Sequence, residues 1–193
     1  MSKNNYKQPE IMVIAGPNGS GKTTITHMAQ INGVYINADD IKRSTSCSDL
    51  EAAIKAEELR ETLLEKRKDF TFETVLSTDR NLKLLKKAKE NGYFIRCIYV
   101  LTSDYNINIT RIHMREKMGG HTVPEEKIKA RYKKALHLIP ELLEICDIVH
   151  IYDNTDTPFR IFKKRKTKYF HWQNEFWKYS DIERLTKIKE YDN

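Results

Sequence analysis

Ten residues near the start, Ala15-Gly16-Pro17-Asn18-Gly19-Ser20-Gly21-Lys22-Thr23-Thr24, constrain this chain more than any other stretch. From Gly16 to Thr23 they satisfy G-x-x-x-x-G-K-[ST]. Ile11-Met12-Val13-Ile14-Ala15 before them reads as a buried strand, and Thr24 to Ala29 after them can open a helix that runs from Lys22 to about Ile31. That strand–loop–helix context separates a working phosphate loop from a chance match. Glycines let backbone N–H groups curl around phosphate oxygens, and the following helix adds a favourable partial charge. A nucleoside triphosphate is therefore expected on Gly16, Pro17, Asn18, Gly19, Ser20, Gly21, Lys22, Thr23 and Thr24. Lys22 would reach the β/γ-phosphates, and the Thr23 hydroxyl would ligate Mg²⁺.

The rest of the chain reads as strands alternating with helices. A strand at Val34–Asn37 runs into Ala38 to Arg43, and residues 43–48 read as a polar loop. Ser48 with Glu51 caps a helix reaching about Lys68, whose stripe is Ala52, Ala56, Leu59 and Leu63. Phe70 to Leu76 is β-branched and aromatic, a third strand, and the helix after it stops at Asn91-Gly92. Tyr93 to Leu101 reads as a strand apolar on both faces, followed by a helix over about 104–118. Past His121-Thr122-Val123-Pro124 comes a striped helix with a bend expected near Pro140, then a fifth core strand at 145–152. Two short β-like runs, 159–162 and 168–172, predict a C-terminal β-hairpin, and a weakly helical tail follows.

This alternation predicts an α/β, three-layer P-loop NTPase fold: a mostly parallel five-stranded core sheet, helices on both faces, and the hairpin. The length of 193 residues fits a single kinase domain. Residues 1–9 form a lead-in, about 104–131 a lid, and 159–193 a basic, aromatic extension. Hydrophobic content of 39% and charged content of 32% suit a well-solvated globular chain. No apolar run approaches the roughly 18 residues of a membrane span. The N-terminus lacks the apolar centre of a signal peptide, and Cys47, Cys97 and Cys146 suggest neither a disulfide framework nor a metal site, so cytoplasm is the expected address. The net charge of +7 is concentrated in Arg160, Lys163, Lys164, Arg165, Lys166 and Lys168; without them the chain is near neutral.

Ligands of open parallel sheets sit beyond the carboxyl ends of the strands. That rule selects Asp39 and Asp40 after strand two, Glu73 in strand three, and Asp153 after strand five. A carboxylate at 39 or 40 can accept the proton of an acceptor hydroxyl, or serve as a helix cap. A lone Glu73 in an apolar strand is costly to bury unpaired, so it pairs with a base or points into the site. Arg111 and Arg115 share a helix face, and with Lys117, His121 and Arg131 they bracket Gly119-Gly120. Arginine suits bidentate phosphate contact. His121 reads as a structural residue or a substrate contact. The basic run, with Tyr169, Phe170, Trp172 and Trp177 nearby, reads either as a nucleic-acid platform or as a solvated hairpin whose edge is protected by lysines.

Taken together, Gly16–Thr23, Asn37-Ala38-Asp39-Asp40-Ile41, Phe72-Glu73-Thr74-Val75-Leu76-Ser77 and Arg115-Glu116-Lys117-Met118-Gly119-Gly120-His121-Thr122-Val123-Pro124 leading to Arg131-Tyr132 resemble the zeta-toxin family of P-loop kinases. The resemblance spans about residues 10–155. It implies an ATP- and Mg²⁺-dependent kinase acting on a hydroxyl of a small molecule, a UDP-amino sugar such as UDP-N-acetylglucosamine in the better-known members. It implies Asp39 as general base, Lys22 and Thr23 on ATP and Mg²⁺, and Arg115 and Arg131 as phosphate clamps. Asp40, Glu73, Thr74 and His121 are the implied substrate contacts, and a small helical antitoxin the implied partner. Where family members often carry Thr, this chain has Val75. The alternative reading is a nucleic-acid-binding NTPase or polynucleotide kinase using residues 160–172.

Overall fold

The computed structural model describes residues 7–119 and 123–192. Its framework is one seven-stranded sheet, in the order β2-β3-β1-β4-β5-β6-β7. Strands β1 (Glu10–Ala15), β2 (Val34–Ile36), β3 (Phe70–Thr74), β4 (Phe94–Leu101) and β5 (Ile148–Asp153) run parallel; β6 (Phe159–Arg165) and β7 (Lys168–His171) add the antiparallel hairpin. The expected five-stranded parallel core and C-terminal hairpin are both present. The connections are α1 (Lys22–Met28), α2 (Ala38–Thr45), α3 (Asp49–Glu65), α4 (Arg80–Glu90), α5 (Tyr105–Lys117), α6 (Glu125–His137) and α7 (Ile139–Ile145), with α8 (Tyr179–Thr186) in the tail. No helix among the described residues is long and apolar enough to cross a membrane.

One face of the sheet carries the core. Ile11, Val13, Phe70, Phe72, Ile95 and Tyr99 point into it with their alternates inverted, as the period of two requires. Helices α3, α4, α7 and α8 close it with Leu63, Leu85, Leu142 and Ile182. Lys164, midway along the basic run, is nearly fully buried, and its ammonium donates to the carbonyls of Leu143 and Cys146 (2.8 Å to the latter), satisfying the end of α7. That lysine belongs to the core and is not on offer to a polyanion.

The departures from the sequence reading have local causes. Helix α1 ends at Met28 rather than near Ile31 because the Thr71 hydroxyl holds both backbone groups of Asn32, drawing the chain to the edge of β3. Helix α2 runs to Thr45 where a loop from Arg43 was expected. Asn37 caps it by accepting from the Asp39 N–H, acids sit in its first turn and bases in its last, and Asp40 pairs with Arg43. The bend expected near Pro140 is a full break, with Leu138 between α6 and α7 and Pro140 in the first turn of α7. Strand β4, read as apolar on both faces, buries only one completely: Phe94, Arg96 and Ile98 on the other are half-buried.

Candidate active site

The order of the sheet places β1 between β3 and β4, so the loop after β1 opens at the crevice where the crossovers diverge. Its glycines are required by close approach as well as by backbone angle. A Cβ on Gly16 would lie 2.0 Å from the Val100 carbonyl oxygen; one on Gly21, at φ +89°, would lie 2.1 Å from Asn154 Nδ2. Two asparagines hold the loop from outside. Asn108 of α5 donates to the Asn18 carbonyl (2.6 Å) and accepts from the Thr102 hydroxyl, and Asn154, after β5, donates to the Ser20 carbonyl (2.8 Å). The Asn18 Oδ1 and Ser20 Oγ atoms are buried without a partner among the described residues. Gly16→Ala is expected to lower stability by about 3 kcal/mol, since it adds overpacking against backbone to a disfavoured φ; a urea titration reads it.

Lys22 is half-buried, and its ammonium folds back on the loop, donating to the carbonyls of Gly16 (2.8 Å) and Pro17 (3.0 Å). Burial lowers its pKa to about 8, helped by Arg115 and opposed by Glu73 and Asp39. The ammonium is thus mostly charged at neutral pH and discharges just above it. Because phosphate attracts only the charged form, the Kd for Mg-ATP should be flat below about pH 7. It should rise about tenfold per pH unit above about pH 8, until the higher pKa of the complex is reached. Calorimetric titration across pH checks the sign.

Glu73, on the face of β3 that α1 covers, accepts from the hydroxyls of Thr26 (2.5 Å) and Tyr35 (2.7 Å). Asn37 donates in turn to the Tyr35 oxygen (3.3 Å). Burial, with the bond to Glu73 adding to it, pushes the Tyr35 phenol above its ordinary value, so the phenol stays a donor. This chain links α1, β3, β2 and the cap of α2, and so fixes the start of the helix that carries Asp39. Thr74 turns its hydroxyl oxygen to the Leu76 N–H (2.9 Å) and Asn81 (2.7 Å), while its carbonyl accepts from the Gly16 N–H (3.1 Å). Thr23 and Thr24 are exposed at the start of α1.

A cleft of about 490 Å³ opens beside the loop, lined by Asn18, Asp39, Arg43, Arg115, Val123 and Arg131, among others. It brings together three of the four residues expected to be catalytic, and Lys22 senses two of them, Asp39 and Arg115. Asp40 is turned to Arg43. Arg111 does not join the cleft; it donates to the Thr155 carbonyl (3.0 Å). Asp153 is buried and accepts from the Thr155 N–H, the Thr155 hydroxyl and Asn174, while its neighbour Asn154 makes the loop contact. His121 lies outside the described residues. Asn108, Thr26, Tyr35 and Arg43 carry no motif and were not identifiable from sequence; the one signal was Asn37, a polar residue between a strand and an acidic helix start. A larger cavity of about 810 Å³ lies elsewhere, between α6–α7 and the C-terminal segment, with none of these residues on its wall.

A phosphate loop at the switch point of a parallel sheet, beside a cleft holding an acid and two arginines, defines a nucleotide-binding protein of the P-loop kinase class. Solved structures agree on the fold. One from the PezAT chromosomal toxin–antitoxin system of Streptococcus pneumoniae superposes with TM-score 0.67 at 18% identity, covering 98% of this chain and 82% of that one. The AvrRxo1-ORF1:AvrRxo1-ORF2 structure with ATP gives 0.69 at 13% identity, covering 96% and 66%. An uncharacterized protein of Haemophilus influenzae is 31% identical over 131 residues, 65% of this chain and 94% of its own length. The chain belongs to the zeta toxin family, whose model matches residues 1–167.

Proposed function

We propose that this protein is a cytoplasmic, ATP- and Mg²⁺-dependent phosphotransferase whose acceptor is a hydroxyl of a UDP-amino sugar. The observation that carries the reading is the convergence of Asp39, Arg115 and Arg131 on one cleft beside Asn18 of the phosphate loop. The loop fits a nucleotide: close approach at Gly16 and Gly21 leaves no room for side chains, and Lys22 keeps its ammonium on the loop, at the carbonyls of Gly16 and Pro17. Thr23 would hold Mg²⁺, which supplies charge neutralisation on the phosphates when bound.

In this reading Lys22 and the loop N–H groups orient the β- and γ-phosphates. The acceptor oxygen attacks the γ-phosphorus as its bond to the β-bridging oxygen breaks, and the acceptor proton passes to Asp39. Arg115 and Arg131 neutralise charge on the transferring group. Glu73, Asp40, Thr74 and His121 shape the acceptor side. The α5–α6 region, about 104–131, acts as the lid that delivers the arginines, in one domain whose extension begins at 159. Family membership supports the UDP-sugar class, and the toxin–antitoxin origin of the pneumococcal structure supports a protein antitoxin as partner. Three free cysteines suit a reducing compartment.

The test is ADP release with Mg-ATP, with and without UDP-N-acetylglucosamine. Stimulation by the UDP-sugar supports the acceptor class; tight Mg-ATP binding with no stimulation by any UDP-sugar would reject it. Arg115→Ala or Arg131→Ala should each lower kcat about 10²–10³-fold with little change in thermal midpoint. Arg111→Ala should instead lower the midpoint and largely spare kcat, because its partner is the Thr155 carbonyl.

A further inference from the structure

The face of the sheet opposite the core is covered by α1 over β1, β3 and β4 near the phosphate loop, whereas along β5 and the hairpin its side chains are only half-buried. Along β5, Ile148, His150 and Tyr152 are half-buried while Val149 and Ile151 are completely buried, although β5 is an interior strand. The register carries this row outward: His150 lies opposite Lys163, Lys163 opposite Phe170, and Tyr152 opposite Arg160. Trp172, two residues beyond Phe170, completes it.

The chemistry of the row is uniform. The Arg160 guanidinium sits 4.7 Å from the Trp172 ring centroid and the Lys163 ammonium 5.6 Å from that of Phe170. The two rings are near parallel, 15° apart with centroids 6.4 Å from each other. Neither cation is paired with a carboxylate among the described residues, and Arg160 Nε is buried without a partner. Burial above all, with the like charges of Arg160, Lys163 and Arg96 adding to it, holds the His150 pKa down to about 4. Arg165, Lys166 and Lys168 at the exposed hairpin tip add further positive charge.

We infer that this open face is a docking surface for single-stranded nucleic acid, with bases stacked on Phe170 and Trp172 and phosphates held by Arg160, Lys163 and the hairpin tip. Rings in a row on a flat sheet, each beside a cation, match the alternation of base and phosphate along a single strand. An acidic protein would need the cations but would leave the rings unused. The surface does not involve the phosphate loop, so it stands or falls apart from the kinase reading.

Fluorescence anisotropy with a labelled oligo-uridine of about twelve nucleotides, on the full chain, tests it. Binding should weaken steeply between about 50 and 200 mM salt. Phe170→Ala and Trp172→Ala should each weaken it about fivefold or more. Arg160→Gln/Lys163→Gln should weaken it and flatten the salt slope, while Lys22→Ala should bind as wild type does. Circular dichroism confirms folding, and Trp172→Phe, which keeps a ring, should largely restore affinity if the alanine variant is unstable. Three results would overturn the proposal: no binding at about 50 mM salt, competition by polyglutamate as effective as by unlabelled oligo-uridine, or affinity indifferent to both rings.

Discussion

Asp39→Ala is expected to lower kcat about 10²–10⁴-fold while the affinity for Mg-ATP and the thermal midpoint stay near wild type. The separation of effects follows from where Asp39 stands. It is exposed in the first turn of α2, and the cap of that helix is Asn37, whose side chain accepts from the Asp39 backbone N–H and is untouched by the substitution. The phosphates are held by a different element. Asp39→Asn, which keeps size and loses basicity, should fall nearly as far. Single-turnover measurements at saturating nucleotide give the number, and near-normal turnover by either variant would remove Asp39 from the role of base. Asp40 is a contrast: it is paired with Arg43 on the acceptor side, so Asp40→Ala should cost some helix stability and raise the KM for the acceptor while lowering kcat much less.

Lys22→Ala is the second large effect: kcat/KM should drop about 10³-fold or more, with weakened Mg-ATP binding. Here the stability argument runs differently. The ammonium is bonded to two loop carbonyls, yet the fold disfavours its charge, since its pKa falls to about 8. Alanine removes both terms, so the variant should remain folded with little change in its unfolding midpoint. Lys22→Arg should not rescue it, because a planar fork cannot occupy the point between the carbonyls of Gly16 and Pro17.

The legible parts of the fold were those in which local chemistry and global position agree. The phosphate loop announces itself through glycines at fixed offsets, and β1, β3 and β5 through β-branched and aromatic runs. The hairpin shows in two short runs at 159–162 and 168–172, although β6 continues to Arg165 and leaves only a two-residue turn. Boundaries failed where a distant group decided them. Thr71 ends α1, and no residue near Met28 forecasts it. Asn37, Asp40 and Arg43 carry α2 past the point where polar composition reads as loop.

The site divides in the same way. Residues with a motif, from Gly16 to Thr23 and at Asp39, Arg115 and Arg131, are gathered at the loop and the cleft. Residues that hold the motif in place, Asn108, Asn154, Thr26 and Tyr35, act through single hydrogen bonds between elements far apart in sequence, and no spacing encodes those. Arg111 shows the converse, a residue that shares a helix face with Arg115 but whose reach ends at a backbone carbonyl. The open sheet face was hidden because the aliphatic and aromatic residues of β4 read as buried on both sides; Arg96 in their midst was the one sign against it.

The most direct test of the central claim is phosphorus NMR of UDP-N-acetylglucosamine incubated with Mg-ATP and the wild-type protein, beside Asp39→Ala and Lys22→Ala. The account predicts a new sugar phosphomonoester signal growing as the γ-phosphate of ATP disappears, in the wild type and in neither variant. Consumption of ATP to ADP and inorganic phosphate alone, at the same rate with and without the sugar nucleotide, would contradict it.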